Sequence, residues 1–102
     1  MLLILISFVL GLCTLEKVQI EESTIRRNIN ILSNGLRHVP YSKRDDLDDL
    51  IGDLNDDFEA DVIQNQLENN FTQNECIRRL EWLGSYQYKV DKLSEKVDQY
   101  TY

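Results

Sequence analysis

The chain has little of what catalytic and metal sites are built from. Its 102 residues include one histidine, His38, and two cysteines, Cys13 and Cys76. These three residues do not have the spacing of zinc ligands, and the sequence contains neither a glycine-rich phosphate loop nor a nucleophile-elbow motif. Carboxylates are plentiful, but so small a chain has little apolar volume with which to perturb their pKa values. We therefore expect a protein that is not an enzyme and that uses no cofactor or metal.

Proline and glycine are also scarce, with one and four residues. No segment of useful length alternates apolar and polar residues as a surface strand does. Apolar residues recur instead at steps of three and four, which predicts an all-α protein with helices near residues 15–34, 43–71 and 73–99. We expect residues 14–102 to form one domain, a small antiparallel three-helix bundle. An extended, oligomeric coiled coil is the alternative.

Polar residues interrupt the apolar stripes of two predicted helices. Glu22 occupies a core position of the first helix, and Arg79 occupies one of the third. The first stripe otherwise consists of Leu15, Val18, Ile25, Ile29, Leu32 and Leu36. The third helix has two registers that repeat every seven residues, one of Cys76, Leu83, Val90 and Val97, the other of Tyr86, Leu93 and Tyr100. Such heptads are typical of helices packed side by side.

Short local signals predict the helix ends. "NG" at 34–35 is a helix stop, and Ser42 is the expected cap of the second helix. "TQNE" at 72–75 matches the capping box, with Thr72 as cap and Glu75 three residues later. The apolar face of the second helix would run from Leu47, Leu50, Ile51, Leu54 and Phe58 to Val62, Ile63, Leu67 and Phe71.

Charge is absent from the first fifteen residues, "MLLILISFVLGLCTL". This apolar run suits a signal peptide and is shorter than the roughly 20 residues of a spanning helix. Gly11 and Cys13 supply small residues at the −3 and −1 positions of a cleavage site before Thr14. The prediction is a signal peptide at 1–13 and a secreted protein. The alternative is a membrane protein anchored by a retained segment, residues 1–15.

Cleavage before Thr14 would leave Cys76 as the only cysteine of the mature chain. We therefore expect no internal disulfide, and Cys76 would be either a buried thiol or a link to another chain. A parallel coiled-coil dimer would place Cys76 opposite its copy, as an intermolecular disulfide requires. The triplet "NFT" makes Asn70 a candidate site of N-glycosylation between two predicted helices.

Basic residues are missing from "DDLDDLIGDLNDDFEAD", residues 45–61, which contain nine acidic side chains. A calcium loop starting at Asp53 would need glycine and glutamate where Phe58 and Gln64 stand, so the run does not fit the EF-hand pattern. We interpret the run as the solvent face of the middle helix, set between a basic segment and a near-neutral one. The net charge of −7 disfavours nucleic acid as a partner.

The predicted function is that of a small secreted ligand or effector that binds another protein. Trp82, Tyr86 and Tyr100 are the candidate contact residues because tryptophan and tyrosine are enriched among binding hot spots, although they equally suit a core. A membrane-anchored coiled-coil assembly protein is the first alternative, and either could form a homo-oligomer. A secretory precursor processed at the dibasic pair Lys43–Arg44 is the second.

Overall fold

The computed structural model describes residues 12–68 and 70–101. Within these ranges the chain forms three helices, α1 (Leu15–Gly35), α2 (Tyr41–Gln64) and α3 (Gln73–Tyr100), with a short 3-10 helix at Leu36–His38. No strand occurs in this part of the chain, and the predicted all-α fold is confirmed. None of the described helices is long and apolar enough to cross a membrane. Residues 1–11 of the predicted signal or anchor segment lie outside the described residues.

Successive helices run in opposite directions, so α1 and α3 are parallel. Cys13, just before α1, is bonded to Cys76 in the first turn of α3. At the other end of the same two helices, a Cβ built on Gly35 would lie 3.8 Å from Val97 Cγ1. α2 runs the other way, since Lys43 near its start approaches the Tyr100 ring at 5.5 Å. The antiparallel three-helix bundle is therefore confirmed.

The core consists of the predicted stripes, which face one another between the three helices. Burial of these side chains is the main favourable contribution to folding. Leu50 and Ile63, which the sequence assigns to the apolar face of the middle helix, are exposed. The buried members are Val18, Ile25, Ile29 and Leu32 of α1, Leu47, Ile51, Leu54, Phe58 and Val62 of α2, and Cys76, Leu83, Tyr86, Val90 and Val97 of α3.

The start of α2 differs from the prediction. Pro40 occupies the N-cap position with φ −54°, and Ser42 lies inside the helix instead of capping it. The Pro40 carbonyl accepts hydrogen bonds from the N–H groups of Lys43 and Arg44 at 3.0 and 3.1 Å. Proline suits a helix start because its φ is already near helical values and no N–H is needed there.

The end of α2 is also earlier than predicted, at Gln64 instead of residue 71. Asn65 ends the helix, and its side-chain amide donates to the Asp61 carbonyl at 3.2 Å, competing for the backbone as asparagine does at helix ends. Leu67 and Phe71 still pack against the core, but from the loop between α2 and α3. Their apolar character predicts a longer helix, but in the structure it corresponds only to their partial burial in the loop.

The start of α3 is as predicted. Thr72 Oγ1 accepts a hydrogen bond from the Glu75 N–H at 3.1 Å, and Glu75 Oε1 accepts one from the Thr72 N–H at 3.3 Å. Both halves of the capping box are present, so two N–H groups that the helix leaves unpaired are satisfied.

Candidate functional site

A disulfide between Cys13 and Cys76 joins the starts of α1 and α3. Both half-cystines are buried, and their Cα atoms lie 5.8 Å apart. Gln73 holds the same place, because its Oε1 accepts from the Cys13 N–H at 3.0 Å and its Nε2 donates to the Cys13 carbonyl at 2.7 Å. The expectation of a lone Cys76, available for a bond to another chain, is therefore wrong for this fold. That expectation followed from placing Cys13 in the predicted signal peptide, residues 1–13.

Residues 12 and 13 consequently belong to the folded domain. Besides the contacts of Cys13, the Leu12 carbonyl accepts a hydrogen bond from Lys17 Nζ at 2.6 Å. Thr14 then caps α1, with its side chain accepting from the Lys17 N–H. The predicted boundary between residues 1–13 and 14–102 would separate Cys13 from these contacts, and it stays a prediction.

The two polar interruptions of the apolar stripes form an ion pair. Arg79 Nη2 lies 3.2 Å from Glu22 Oε1, and the two side chains are 5% and 18% exposed. The guanidinium also lies over the Trp82 ring, 3.9 Å from its centroid. Its Nε has no hydrogen-bond partner among the described residues. Arg79 is thus a buried charge held by one carboxylate and one indole.

Three aromatic side chains pack beside this pair, between α2 and α3. Phe58 stacks on Trp82 at 6.0 Å between centroids, and Tyr86 meets both rings edge-on at 5.3 and 4.8 Å. The Tyr86 hydroxyl donates to Asp61 Oδ2 at 2.7 Å. Burial, with the neighbouring Asp61 carboxylate, raises the pKa of Tyr86 above its usual value. Because Tyr86 is only 4% exposed, it is a core residue and not a contact residue for a partner.

Trp82 is half-buried, and its accessible part borders a cleft of about 490 Å³ at the end of the bundle where α2 ends. Tyr100 is 38% exposed at the opposite end of α3. A helix rises 1.5 Å per residue, so the two aromatics are roughly 27 Å apart and do not form one surface. We call the first region the Trp82 cleft; it is lined by Gln64, Asn65, Gln66, Leu67, Glu75, Arg78, Arg79 and Trp82.

The acidic run lies along α2 as expected, with most of its carboxylates in solvent. Glu59 and Asp61 are half-buried exceptions: Glu59 pairs with Arg26 of α1 at 2.6 Å, and Asp61 accepts from Tyr86. The hydrogen bond to Glu59 raises the pKa of Arg26. Among the described residues, no three His, Cys, Asp or Glu side chains are grouped so that they could hold a metal ion.

The dibasic pair and the glycosylation sequon lie in different settings. Lys43 and Arg44 are in the first turn of α2, and the Arg44 guanidinium donates to the Val39 carbonyl at 3.0 Å. Asn70 lies exposed in the loop between α2 and α3, while the hydroxyl of the sequon's Thr72 is engaged in the capping box. Processing at the pair and glycosylation of Asn70 stay predictions.

A second surface was not anticipated from the sequence. A groove of about 390 Å³ runs between α1 and α3 and is lined by Lys17, Ile20, Glu21, Leu80 and Gly84. Ile20 is 55% exposed, and beside the groove Ile77 and Tyr88 are exposed as well. We call this region the outer groove. Its signal was present as a second stripe on α3 at steps of three and four (Ile77, Leu80, Gly84, Tyr88), overlooked beside the more regular heptads.

Comparison of the chain with models of known protein families, with curated proteins and with solved structures finds no match.

Proposed function

We propose that this protein is a small secreted protein that acts by binding another protein, and that the Trp82 cleft is its binding site. The observation that carries the proposal is the half-buried indole of Trp82, held rigidly at the edge of a cleft of about 490 Å³. Tryptophan and arginine in such partly enclosed positions are the residues most often found to dominate binding energy.

The rigidity of Trp82 favours this role. The Phe58 ring stacks on the indole, the Tyr86 ring meets it edge-on, and the Arg79 guanidinium lies over it. A side chain already fixed in this way loses little conformational entropy when a partner covers it. The indole can therefore contribute most of its apolar contact area to the free energy of binding.

The lining of the cleft indicates the chemistry of the partner. Leu67 and Trp82 offer apolar contact, Gln64 and Gln66 offer amide donors and acceptors, and the exposed Arg78 offers a guanidinium. Arginine binds carboxylates through two parallel hydrogen bonds. We expect a partner segment that presents an apolar side chain next to a carboxylate.

Site-specific photo-crosslinking tests this site. A photoreactive amino acid at Arg78 should capture a defined partner from the medium or surface of cells that produce the protein. The same amino acid at Asp49, exposed on α2, is the matched control. Capture at position 78, blocked by excess unlabelled protein and absent at position 49, is the expected result. Equal products at positions 78 and 49 would refute the cleft as the binding site. So would the absence of product from 78 together with none from Gln66, a lining position that leaves the Arg78 guanidinium in place.

Secretion is supported by the disulfide, because such bonds form and persist in oxidising compartments. The signal would then be removed before Cys13. Cleavage after Gly11 would leave Leu12 and Cys13 on the mature chain. Expression of the full sequence in eukaryotic cells, followed by intact mass and N-terminal sequencing, tests this. A secreted product that starts at Thr14 would contradict it, and an intact Met1 in the membrane fraction would favour the anchored alternative.

The same preparation tests Asn70. Enzymatic removal of N-glycans should lower the mass of the wild-type product and leave the Asn70→Gln variant unchanged. Asn70→Gln is preferable to a Thr72 variant, because loss of the Thr72 hydroxyl would also remove the N-cap of α3. A wild-type mass that the enzyme does not change would argue against glycosylation.

A further inference from the structure

We infer that the outer groove is the interface of a homodimer, in which two copies pack groove to groove about a two-fold axis parallel to α1 and α3. This interface is separate from the Trp82 cleft, which faces α2 and the loop after it. The inference joins three observations: an unexplained glycine, apolar side chains on both walls of the groove (Ile20 on α1 and Leu80 on α3), and the placement of charge.

Packing within the described part of the monomer does not explain Gly84. It lies inside α3 without a positive φ, and a Cβ built on it would meet no described atom within 4 Å. Glycine in a helix interior costs about 1 kcal/mol relative to alanine. The cost is offset if the missing side chain leaves a notch for a residue of a second molecule. Gly84 lies between Leu80 and Tyr88 on the α3 wall, so such a residue would be apolar.

The groove can supply that residue itself. Ile20 and Gly84 line the same groove from opposite walls. The Cys13–Cys76 bond and the approach of Gly35 to Val97 align residue 20 with residues 82–83, so Gly84 lies within about 3 Å of the height of Ile20 along the bundle. A two-fold axis parallel to the helices places the α1 wall of one copy over the α3 wall of the other, as in any self-complementary interface. Ile20 of each copy then lies over Gly84 of its partner, and both notches are filled.

Charge placement permits two copies to approach despite a net charge of −7 each. In the described part of the chain, the groove is lined by α1 and α3 only, so it lies on the side of the triangle of helices opposite α2. The acidic faces of the two α2 helices would point outward, separated by both bundles. Charges farther apart than about 8 Å are largely screened at physiological ionic strength. The groove itself contains one basic and one acidic side chain, Lys17 and Glu21.

The area available suits weak association. α1 has 21 residues, which gives a length of about 31 Å, and two helices side by side are about 20 Å wide. Such a face is roughly 600 Å² per copy, or 1,200 Å² in total, which is the lower limit for specific dimers. A reversible dimer that dissociates on dilution is therefore expected.

Sedimentation equilibrium of the full secreted protein tests the dimer between about 1 μM and 1 mM, the range of weak association. Gly84→Gln and Gly52→Gln form a matched pair, because a Cβ at Gly52 on α2 likewise meets no described atom within 4 Å. Both changes replace glycine by a good helix former, so both variants should fold at least as well as wild type.

The expected result is a concentration-dependent dimer of wild type and Gly52→Gln, and a dissociation constant at least about tenfold higher for Gly84→Gln, whose side chain fills the notch. A wild-type protein that stays monomeric throughout would overturn the inference, as would a dimer that Gly84→Gln leaves unchanged. Crosslinking from position 78 should be the same in all three proteins. Its loss without loss of the dimer would count against the proposed function alone.

Discussion

At the scale of single residues, the ion pair of Arg79 with Glu22 explains why two charged residues occupy core positions of the helices. Each residue by itself places a charge at a core position, which is costly unless the charge is compensated. Together they form an ion pair between α1 and α3, at which the Arg79 side chain is 5% exposed. Burying both charges contributes little net stability, but removing one partner leaves the other uncompensated. We therefore expect the pair to favour one register of the two parallel helices over others.

Glu22→Leu should destabilise the protein by about 3 kcal/mol, because it leaves the buried guanidinium of Arg79 without its carboxylate. The double variant Glu22→Leu/Arg79→Leu should recover part of that loss. Urea unfolding measures both. Glu59→Leu is the control, since the Arg26–Glu59 side chains are 41% and 37% exposed and such a pair is worth less than about 1 kcal/mol. Equal losses for Glu22→Leu and Glu59→Leu would contradict the interpretation.

At the scale of elements, the disulfide constrains α1 against α3 where their ends would otherwise fray. Cys13 and Cys76 are separated by 63 positions, so the bond closes a loop that includes α1 and α2. In the chain-entropy model a loop of this size restricts the unfolded state by about 4 kcal/mol. That is a large fraction of the 5–15 kcal/mol that typical small domains have in total.

Cys13→Ala/Cys76→Ala should therefore lower the free energy of unfolding by about 4 kcal/mol. Wild type measured in reductant should approach the double variant, and the double variant itself should not respond to reductant. Thermal unfolding followed by circular dichroism gives both values. Non-reducing electrophoresis should show wild type as a single monomeric band. A disulfide-linked dimer, or a melting temperature unchanged after thiol titration has verified reduction, would rule out this role.

The elements also show how far the sequence alone predicts this molecule. The three stripes and the capping box at Thr72 were predictable because spacing and capping are local properties. The end of α2 was not, because apolar residues such as Leu67 and Phe71 can pack against the core from a helix or from a loop. The disulfide was missed because Cys13 suits two roles: a small residue before a signal-peptide cleavage site and one half of a disulfide. The sequence alone does not distinguish them. The outer groove was missed because α3 has two apolar stripes, and the sequence does not show which of them α1 and α2 cover and which stays exposed.

At the scale of the whole molecule, the negative charge is concentrated on one of the three helices. α2 contains nine acidic and two basic side chains, whereas α1 contains three of each. The expected basic neighbour of the acidic helix is therefore wrong, because α1 has balanced charge and the other basic residues of its segment, Arg37, Lys43 and Arg44, lie outside it. Only the Arg26–Glu59 pair links acidic α2 to a basic side chain of another helix by a described salt bridge. Most of the acidic charge repels itself along one exposed face.

Raising NaCl from about 0.05 to 0.5 M should stabilise the fold, because added salt screens this self-repulsion and shortens the Debye length from above to below 10 Å. Asp49→Asn/Asp56→Asn removes two exposed charges of α2. It should raise the melting temperature at low salt by about 2–4 °C and flatten the salt response, as expected for a gain of about 0.5 kcal/mol. Thermal unfolding at several salt concentrations measures both effects.

Glu81→Gln/Asp98→Asn is the control, since it removes two exposed acidic charges from α3. That helix has nearly balanced charge, so the control should keep the wild-type response to salt. If wild type is insensitive to salt, or if the α2 and α3 variants respond alike, the acidic face does not destabilise the monomer. The expected difference follows because repulsion depends on neighbours of like sign, and α2 concentrates those neighbours on one side of the bundle, away from the outer groove.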